Sequence, residues 1–255
     1  MRRTVRGLVG LVGFLAVGEV VGRSGIAPPG YLPPSSLVLT RLVELLATRS
    51  FVLDLIATVL AWAIALGIAI AVAVPAGLLL GTVPALRHCA RSVIEFLRPI
   101  PSVALIPLAI MVFGIGPDTK IFLAVYAAVW PILFNTIYAM DEVDPQLVDT
   151  ARSFGLGRWP VLTRVSLPSA APFVATGIRL SASVALVVVV SVEFLAGGSG
   201  GLGRFVLESS SGSGRMDLVF AGIAVAGIVG YLVNAGLEWA QRKAFVWSAA
   251  TGEAS

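Results

Sequence analysis

The sequence predicts an all-α integral membrane protein with about six transmembrane helices. The first observation is composition: 57% of the 255 residues are hydrophobic and 13% are charged, at a mean hydropathy of +0.95. Soluble domains carry about 25% charged residues, so a water-soluble fold of this length would lack the polar side chains to cover its surface. The second observation is that uncharged stretches of about 20 residues, the length that crosses a bilayer core, recur along the chain.

Five stretches meet this length. One long helix fits between Asp54 and Arg87, where no residue is charged, and Pro75 is a candidate for a kink in it. The other four stretches lie between Arg98 and Asp118, from Ile121 to Met140, from about Pro172 to Leu195, and from Leu218 to Leu237.

The N-terminal segment leaves two alternatives open. Two arginines precede an apolar stretch from Leu8 to Val21, which Glu19 interrupts. A cleaved signal peptide has such a basic start and short apolar middle, but no A-x-A-like cleavage site follows cleanly, so we favour a retained first helix. The proline-rich residues 28–34 then predict a stiff connector, and residues 36–49 predict an amphipathic helix at the outer surface.

Lysine and arginine predict the orientation, because inner loops of membrane proteins carry an excess of both. With the N-terminus inside, the inner segments hold ten of these residues and the outer segments six, leaving aside Arg98 and Arg179 near span ends. This distribution predicts a multi-pass protein with both termini in the cytoplasm. We divide it into an N-terminal helix and outer connector (1–50), a transmembrane domain (51–245) and a cytoplasmic tail (246–255).

The longest predicted inner segment, residues 141–171, is too polar to span and too long for a tight turn. Asp144 is a good N-cap, and Pro145 fits the first position of a helix. A short helix is expected to follow and to end at Gly155 or Gly157, because glycine readily ends helices.

A second short helix is expected to begin in the segment Gly157-Arg158-Trp159-Pro160, and Leu167-Pro168 to lead into the next span. Two short helices beneath the membrane form a rigid elbow, which suits docking to a cytosolic partner. The alternative is an interfacial hairpin with Trp159 anchored among lipid headgroups. Both interpretations fit the predicted geometry.

The residues of this elbow carry a resemblance. The elbow contains Asp149-Thr150-Ala151, then three residues, Gly155, nine residues and Val165-Ser166-Leu167-Pro168. This pattern resembles the "EAA" loop of bacterial ABC-importer permeases. The family pattern is E-A-A, three residues, G, nine residues, I-x-L-P. This chain has Asp for Glu, Thr for the first Ala and Val for Ile, while the spacing, the glycine and the Leu-Pro pair are intact.

A second resemblance narrows the family. Residues 96–108 (FLRPIPSVALIPL), closed by Phe113-Gly114-Ile115-Gly116, are similar to the third-span signature of the nitrate/sulfonate/taurine permease family. Glu193 and the following Gly201-Leu202-Gly203 also resemble that family, and the likeness covers about residues 51–245. The resemblance implies a type I ABC importer that carries a small organic or inorganic anion such as a sulfonate, taurine or nitrate. Relatives that import thiamine-precursor pyrimidines or riboflavin supply the alternative substrates.

The resemblance also implies roles for individual residues. A coupling helix that sits in a groove of the ATPase is assigned to Asp149, Thr150, Ala151, Arg152, Ser153, Phe154 and Gly155, with Val165, Leu167 and Pro168 as support of the loop. When two ATPase subunits close on ATP, the grooves would carry these loops with them, and the spans would rock between inward-open and outward-open states.

Candidate pathway residues come from charge and from proline. A charged residue within a span is a functional hypothesis by default, which singles out Glu193. The alternative is a glutamate at the water boundary, capped by the Gly197–Gly203 turn. A proline-rich span frees backbone carbonyls, which is acceptable only where it faces protein or a water-filled cavity, and this favours Pro99, Pro101, Ser102 and Pro107. Arg98 and Arg179 are interpreted as snorkelling to headgroups.

The sequence predicts that ATP is bound by another polypeptide. Neither Lys120 nor Lys243 follows a G-x-x-x-x-G pattern, and no catalytic or metal-binding cluster is predicted within the spans. The resemblance implies two copies of an ATPase subunit that holds ATP and Mg²⁺, an external binding protein and a permease homodimer. These would lie in the lipid of the bacterial cell membrane, with no nucleic acid and no cofactor in this chain.

Two rivals belong to other classes. A secondary transporter or channel would need coupling or selectivity groups at mid-membrane, for which only Glu193 is a candidate. A structural membrane scaffold would carry no solute at all.

Overall fold

A computed structural model describes residues 2–26, 30–198, 200–211 and 214–245. Part of the predicted connector at 28–34 and all of the predicted tail at 246–255 lie outside these residues. The helices of the described residues are α1 (Arg2–Arg23), α2 (Ser35–Leu46), α3 (Arg49–Thr82), α4 (Pro84–Leu97), α5 (Ile106–Phe113), α6 (Pro117–Asp141), α7 (Pro145–Ser153), α8 (Arg158–Val161), α9 (Leu167–Ala196), α10 (Leu202–Ser211) and α11 (Met216–Ala244). A 3₁₀ turn (Ser102–Leu105) precedes α5, and a π turn (Leu162–Ser166) joins α8 to α9.

Five helical stretches of the described residues are long and apolar enough to cross a membrane, and the number rises to six if one bent pair is a single span. Four of them confirm predicted spans, because charged residues end the apolar runs close to where the helices end. The fifth is α1, whose retention stays a prediction. The spans are Val5–Arg23, Arg49–Thr82, Pro117–Asp141, Arg158–Ala196 and Met216–Ala244.

The stretch between Arg98 and Asp118 is not the single spanning helix that we predicted. Helix α4 ends at Leu97, and the helical segment Ser102–Phe113 continues at an angle of 77°. Pro99 and Pro101 explain the break, because neither has an N–H group to continue the helix and Pro101 itself is extended, with φ −65° and ψ 121°. With eight residues, α5 is only about 12 Å long, so a sixth span requires α4 and α5 together.

The described residues form two compact units. The first comprises the chain up to Thr58 and the segment Val190–Val229, and the second comprises Val59–Val189 and the residues from Gly230 on. In the first unit, α2, the start of α3, α10 and the start of α11 share one apolar core. Its buried members are Leu42, Leu45, Phe51, Leu202, Ala221 and Val225.

Ion pairs hold α2 to the start of α11 in this first unit. The Arg41 Nε atom donates to Asp217 Oδ2 at 2.8 Å, and Arg215 pairs with the same carboxylate at 2.7 Å. Hydrogen bonds from Arg41 to Glu44 and then to Asp217 raise the pKa of the Arg41 guanidinium above its ordinary value. An arginine side chain is charged at any physiological pH, so both carboxylates have a cationic partner.

Close helix contacts hold the second unit together. Gly77 of α3 faces the Thr136 side chain of α6, and small residues at such positions let membrane helices approach. The Ser181 hydroxyl of α9 donates across to the Ala128 carbonyl of α6 at 2.7 Å. Asn135, in contrast, donates its side-chain N–H to Pro131 O in its own helix.

Candidate functional site

The N-terminus of α7 is fixed by its own residues. The Asp144 side chain accepts a hydrogen bond from the backbone N–H of Gln146 at 2.8 Å, and Pro145 occupies the first turn. The side chain satisfies one of the donors that a helix start leaves without a partner, and proline removes another. The predicted start of this helix is confirmed.

The C-terminus of α7 closes in a Schellman motif around Gly155. The Gly155 N–H donates to Arg152 O at 2.8 Å, and the Leu156 N–H donates to Ala151 O at 3.2 Å. Gly155 has φ +80°, a left-handed conformation that costs a side-chain-bearing residue roughly 1–2 kcal/mol. Of the two glycines that we considered, Gly155 ends the helix. Its Cβ position is open, so the backbone conformation and not crowding within this chain requires glycine.

Large apolar side chains point away from the chain on this elbow. The side chain of Phe154, directly after α7, is 81% exposed, and that of Leu147 is 50% exposed. Val148 and Ala151 are half-buried and form the inner side of the helix. The other predicted coupling residues, Asp149, Thr150, Arg152 and Ser153, are exposed on the same short segment.

The remaining predicted loop residues lie in a continuous helical path into α9. Gly157 is the residue before α8, as predicted, and the π turn then passes into α9 at Leu167. Val165 and Leu167 are half-buried and Pro168 is exposed. A proline this early in a helix is tolerated, and π turns inside helices often accompany functional sites.

Glu193 lies in a buried hydrogen-bond cluster of the first unit, with 3% of its surface exposed. Its carboxylate accepts from the Thr58 hydroxyl at 2.9 Å and from the Gly203 N–H at 3.1 Å. Asp54 Oδ1 accepts from the Gly201 N–H at 2.8 Å in the same cluster. Two carboxylates thus fasten the backbone that leads into α10.

Glycines make this cluster possible. Gly201 has φ +134°, and a Cβ atom there would overlap the Glu193 carboxyl group. A Cβ atom at Gly203 would overlap Val190 O. Glu193 therefore bonds the turn at Gly203, but it is buried and does not lie at the water boundary that the capped-turn alternative describes.

The partners Thr58 and Asp54 were missed by the sequence argument. Thr58 is a single hydroxyl within an apolar run, and Asp54 served only to mark the edge of a span. No local pattern distinguishes either residue, because their partners are more than a hundred residues away in the chain.

The predicted pathway prolines surround the bend after α4. Pro99 and Pro101 are exposed in the turn, Ser102 begins the 3₁₀ turn, and Pro107 lies in the first turn of α5. The Tyr126 hydroxyl donates to Leu97 O at 2.6 Å, which satisfies one carbonyl that the broken helix leaves free.

Among the described residues, no group of three His, Cys, Asp or Glu side chains is placed to hold a metal ion.

The chain resembles known permeases in sequence. It is 31% identical over 92% of its length to the taurine transport system permease protein of Escherichia coli K12, and it covers 86% of that protein. It is 28% identical to the bicarbonate transport system permease protein of Synechococcus elongatus, over 92% and 87% of the two chains. A putative ABC transporter permease protein of Methanocaldococcus jannaschii is 35% identical over 68% of this chain, which spans 65% of that relative.

The fold resembles a solved importer. The MetNI methionine ABC transporter in an inward-facing conformation matches with a TM-score of 0.66, covering 75% of this chain and 94% of that chain at 19% identity. Residues 73–244 match the family described as binding-protein-dependent transport system inner membrane component. Members of this family are the membrane-spanning subunits, and ATP is bound by a separate ATPase subunit. The chain belongs to this family and is the multi-pass inner-membrane permease subunit of a binding-protein-dependent ABC importer.

Proposed function

We propose that α7, with Phe154 and Gly155, is the coupling helix that docks on the ATPase subunit. The observation that carries this proposal is the 81% exposure of Phe154 at the end of a helix whose two termini are both capped locally. A large apolar side chain on a rigid support suits insertion into a groove of a partner protein. Leu147 on the exposed side of α7 would add a second apolar contact.

The half-buried side of α7 supports this assignment. Val148 and Ala151 face the chain, and the helix is joined through Gly155 and Leu156 to α8 and on to α9. A displacement of α7 would therefore pass directly to a spanning helix. ATP would shift the permease between two states only if the ATPase contacts α7 differently in each state.

Headgroup anchoring by Trp159 is the second candidate for this elbow. Trp159 is 74% exposed, and tryptophan is favoured where water meets lipid. The two candidates differ at Phe154. Docking requires this side chain to contact the ATPase subunit, whereas headgroup anchoring does not.

We propose a small solute with an anionic group as the substrate. The printed names of two relatives that align over 92% of this chain specify taurine and bicarbonate, which carry a sulfonate and a carbonate group. Thiamine-precursor pyrimidines and riboflavin are the alternative substrates. Pro99, Pro101, Ser102 and Pro107 are proposed to line the path. Glu193 is proposed as a further pathway residue, and it holds the entry to α10.

The proposed assembly contains two copies of this chain, two ATPase subunits and one external binding protein. Both termini of this chain would lie in the cytoplasm, which places α7 on the ATPase side. The proposed division into residues 1–50, 51–245 and 246–255 goes with this topology.

Reconstitution in proteoliposomes tests the function. Uptake of radiolabelled taurine or bicarbonate should require the ATPase subunit, the binding protein and ATP. Uptake by this chain alone along an ion gradient would contradict the proposal and favour a secondary transporter.

A matched pair of variants tests the docking helix. Phe154→Asp should abolish co-purification with the ATPase subunit, because a charge cannot enter an apolar groove without a large desolvation cost. Tyr31→Asp, which changes another exposed aromatic residue in the N-terminal connector, should leave co-purification intact. Equal recovery of the ATPase with both variants would show that α7 is not part of the docking surface.

A further inference from the structure

Helix α4 has two chemically distinct faces. Its polar residues, at Arg87, His88, Arg91, Ser92 and Glu95, fall on one side at helical spacing, and Arg98 continues that side directly after the helix. The opposite side carries Leu86, Val93 and Phe96, of which Val93 is 58% and Phe96 73% exposed. No residue of α4 is buried.

The polar side of α4 borders two clefts against the ends of α3 and α6. One cleft, of about 320 Å³, is lined by Gly81, Pro84, Arg87, His88, Arg91 and Asp141. The other, of about 270 Å³, is lined by Arg87, Arg91, Ile94, Glu95, Phe134, Ile137 and Tyr138. Arg87 and Arg91 therefore border both clefts.

Cations exceed carboxylates around these clefts. Arg87 pairs with Asp141 at 2.8 Å, and Arg91 pairs with Glu95 at 2.8 Å. Arg98 instead lies over the Phe134 ring, 4.5 Å from its centroid. The clefts themselves are lined by two arginines and two carboxylates, so Arg98, beside one cleft, is the cation in excess. The side chains of Arg87 and Arg91 are 38% and 72% exposed, which leaves N–H donors of both open to a further anion. Arginine suits phosphate because its planar group offers several donors at once.

The place of α4 in the chain indicates the source of that anion. Helix α3 has the length to span the bilayer, and α4 begins two residues after α3 ends, so its basic side emerges at the membrane surface. Arg87 lies in the first turn of α4 and Arg91 one turn later, so both long side chains are close enough to the end of α3 to extend to the headgroups, even where α4 continues into a span. Basic pockets between membrane helices bind anionic lipid headgroups.

We propose that the clefts bordered by Arg87 and Arg91 form a binding site for the phosphate headgroup of an anionic phospholipid, whose acyl chains cover the apolar side of α4. The two guanidinium groups hold the phosphate, and Val93 and Phe96 contact the hydrocarbon. This site is independent of the ATPase-docking role of α7, because it uses a different helix and different residues.

The test is lipid binding to the purified full-length permease in nanodiscs. Phosphatidylglycerol in a phosphatidylcholine background is titrated, and retained lipid is counted by native mass spectrometry. Arg87→Gln with Arg91→Gln should weaken phosphatidylglycerol binding roughly tenfold or more, because each basic residue near the surface contributes to attraction of anionic lipid. Lysine at both positions should restore most of the binding.

The control pair is Arg23→Gln with Arg204→Gln. Both arginines are exposed and pair with a glutamate four residues away, as Arg91 does, but they lie in the other compact unit. Unchanged phosphatidylglycerol binding by the control pair, with loss only in the α4 pair, supports the site. Equal losses of phosphatidylglycerol binding in both pairs would show that the effect comes from general positive charge, and would overturn the proposed site.

Two further outcomes identify other occupants. Displacement of the lipid by millimolar free phosphate or taurine would assign the clefts to a soluble anion and overturn the lipid assignment. Cys89, the single cysteine of the chain, is exposed on the apolar side of α4. Rapid Cys89–Cys89 disulfide formation with a membrane-permeant oxidant would show a second copy on that side, whereas its absence agrees with coverage by lipid.

Because Arg87 also pairs with Asp141, its loss alone could lower stability. Arg91→Gln, whose pair with Glu95 is exposed, is therefore measured separately. It should weaken phosphatidylglycerol binding while leaving the thermal midpoint in pure phosphatidylcholine unchanged. Binding equal to that of the unmodified chain would overturn the proposal.

Discussion

The Thr58 hydroxyl donates to the Glu193 carboxylate, with oxygen–oxygen distances of 3.0 and 2.9 Å to the two carboxylate oxygens. The same hydroxyl accepts from the backbone N–H of Leu202 at 2.9 Å. One side chain of α3 therefore joins the end of α9 to the first turn of α10. Because all three groups are buried, loss of the Thr58 hydroxyl removes the acceptor of the Leu202 N–H and one of the donors to the Glu193 carboxylate in an apolar setting.

Thr58→Val should lower the free energy of unfolding by about 1–3 kcal/mol, because valine keeps the shape but leaves the Leu202 N–H and part of the Glu193 carboxylate unsatisfied. The thermal midpoint of the purified chain in detergent measures the change. Thr40→Val is the control, since that hydroxyl is exposed and bonds only to Ser36 O in its own helix. Equal midpoints for the two variants would contradict a structural role for the cluster.

Gly201→Ala should be more damaging than Gly214→Ala, although both glycines have positive φ. The backbone strain at Gly214, with φ +58°, is about 1–2 kcal/mol, and Gly201, with φ +134°, lies still farther from the conformations that alanine adopts. At Gly201 the new methyl group would also overlap the Glu193 carboxyl, whereas the space at Gly214 is open. Overpacking typically adds about 1–3 kcal/mol. In detergent, the free energy of unfolding should be lower for Gly201→Ala than for Gly214→Ala. The reverse order would refute the packing argument.

Gly155→Ala should impair ATP-driven uptake, while Gly155→Asn should retain most of it. Alanine is strained at φ +80°, whereas asparagine adopts the left-handed region more readily. Both substitutions add a side chain into open space, so a difference between them reports backbone conformation. Uptake and ATPase co-purification are measured side by side. Equal uptake by the alanine and asparagine variants would show that the left-handed conformation of Gly155 in the Schellman motif is not what uptake requires.

Gly77→Val should destabilise the second unit, and Gly67→Val should not. A Cβ atom at Gly77 would lie 2.6 Å from the Thr136 Cβ atom, whereas Gly67, in the same helix, has nothing within 4 Å. The expected cost at Gly77 is about 1–3 kcal/mol. Both variants are compared by resistance to thermal aggregation in detergent, with equal resistance arguing against close packing of α3 on α6.

Local signals predicted much of the fold. Charges at Lys120 and Asp141 mark the ends of the apolar run that became α6. Asp144, Pro145 and Gly155 predicted the bounds of α7, because caps act within one helical turn and are visible in sequence. The prolines after Arg98 were also visible in the sequence, but their effect depends on how many act together. The structure has two helices with a break between them where a single span was expected.

Long-range pairing could not be predicted in this way. Thr58 and Glu193 are 135 residues apart, and neither residue's neighbours indicate the other. The amphipathic character of α4 was missed for a different reason. Its first three residues extend the uncharged run that begins after Asp54, so the charge pattern sets the end of the span at Arg87, which lies inside α4. Tertiary contacts decide both cases, and they arise only once the helices pack.

The two locally fastened ends of α7 have an entropic consequence. A nine-residue helix is marginal in water when isolated, so an unfastened segment would lose much conformational freedom on meeting its partner. Here the Asp144 cap and the Gly155 turn have already ordered that backbone. Little freedom remains to be lost at each encounter, and most of the contact free energy of Phe154 is left to set the affinity.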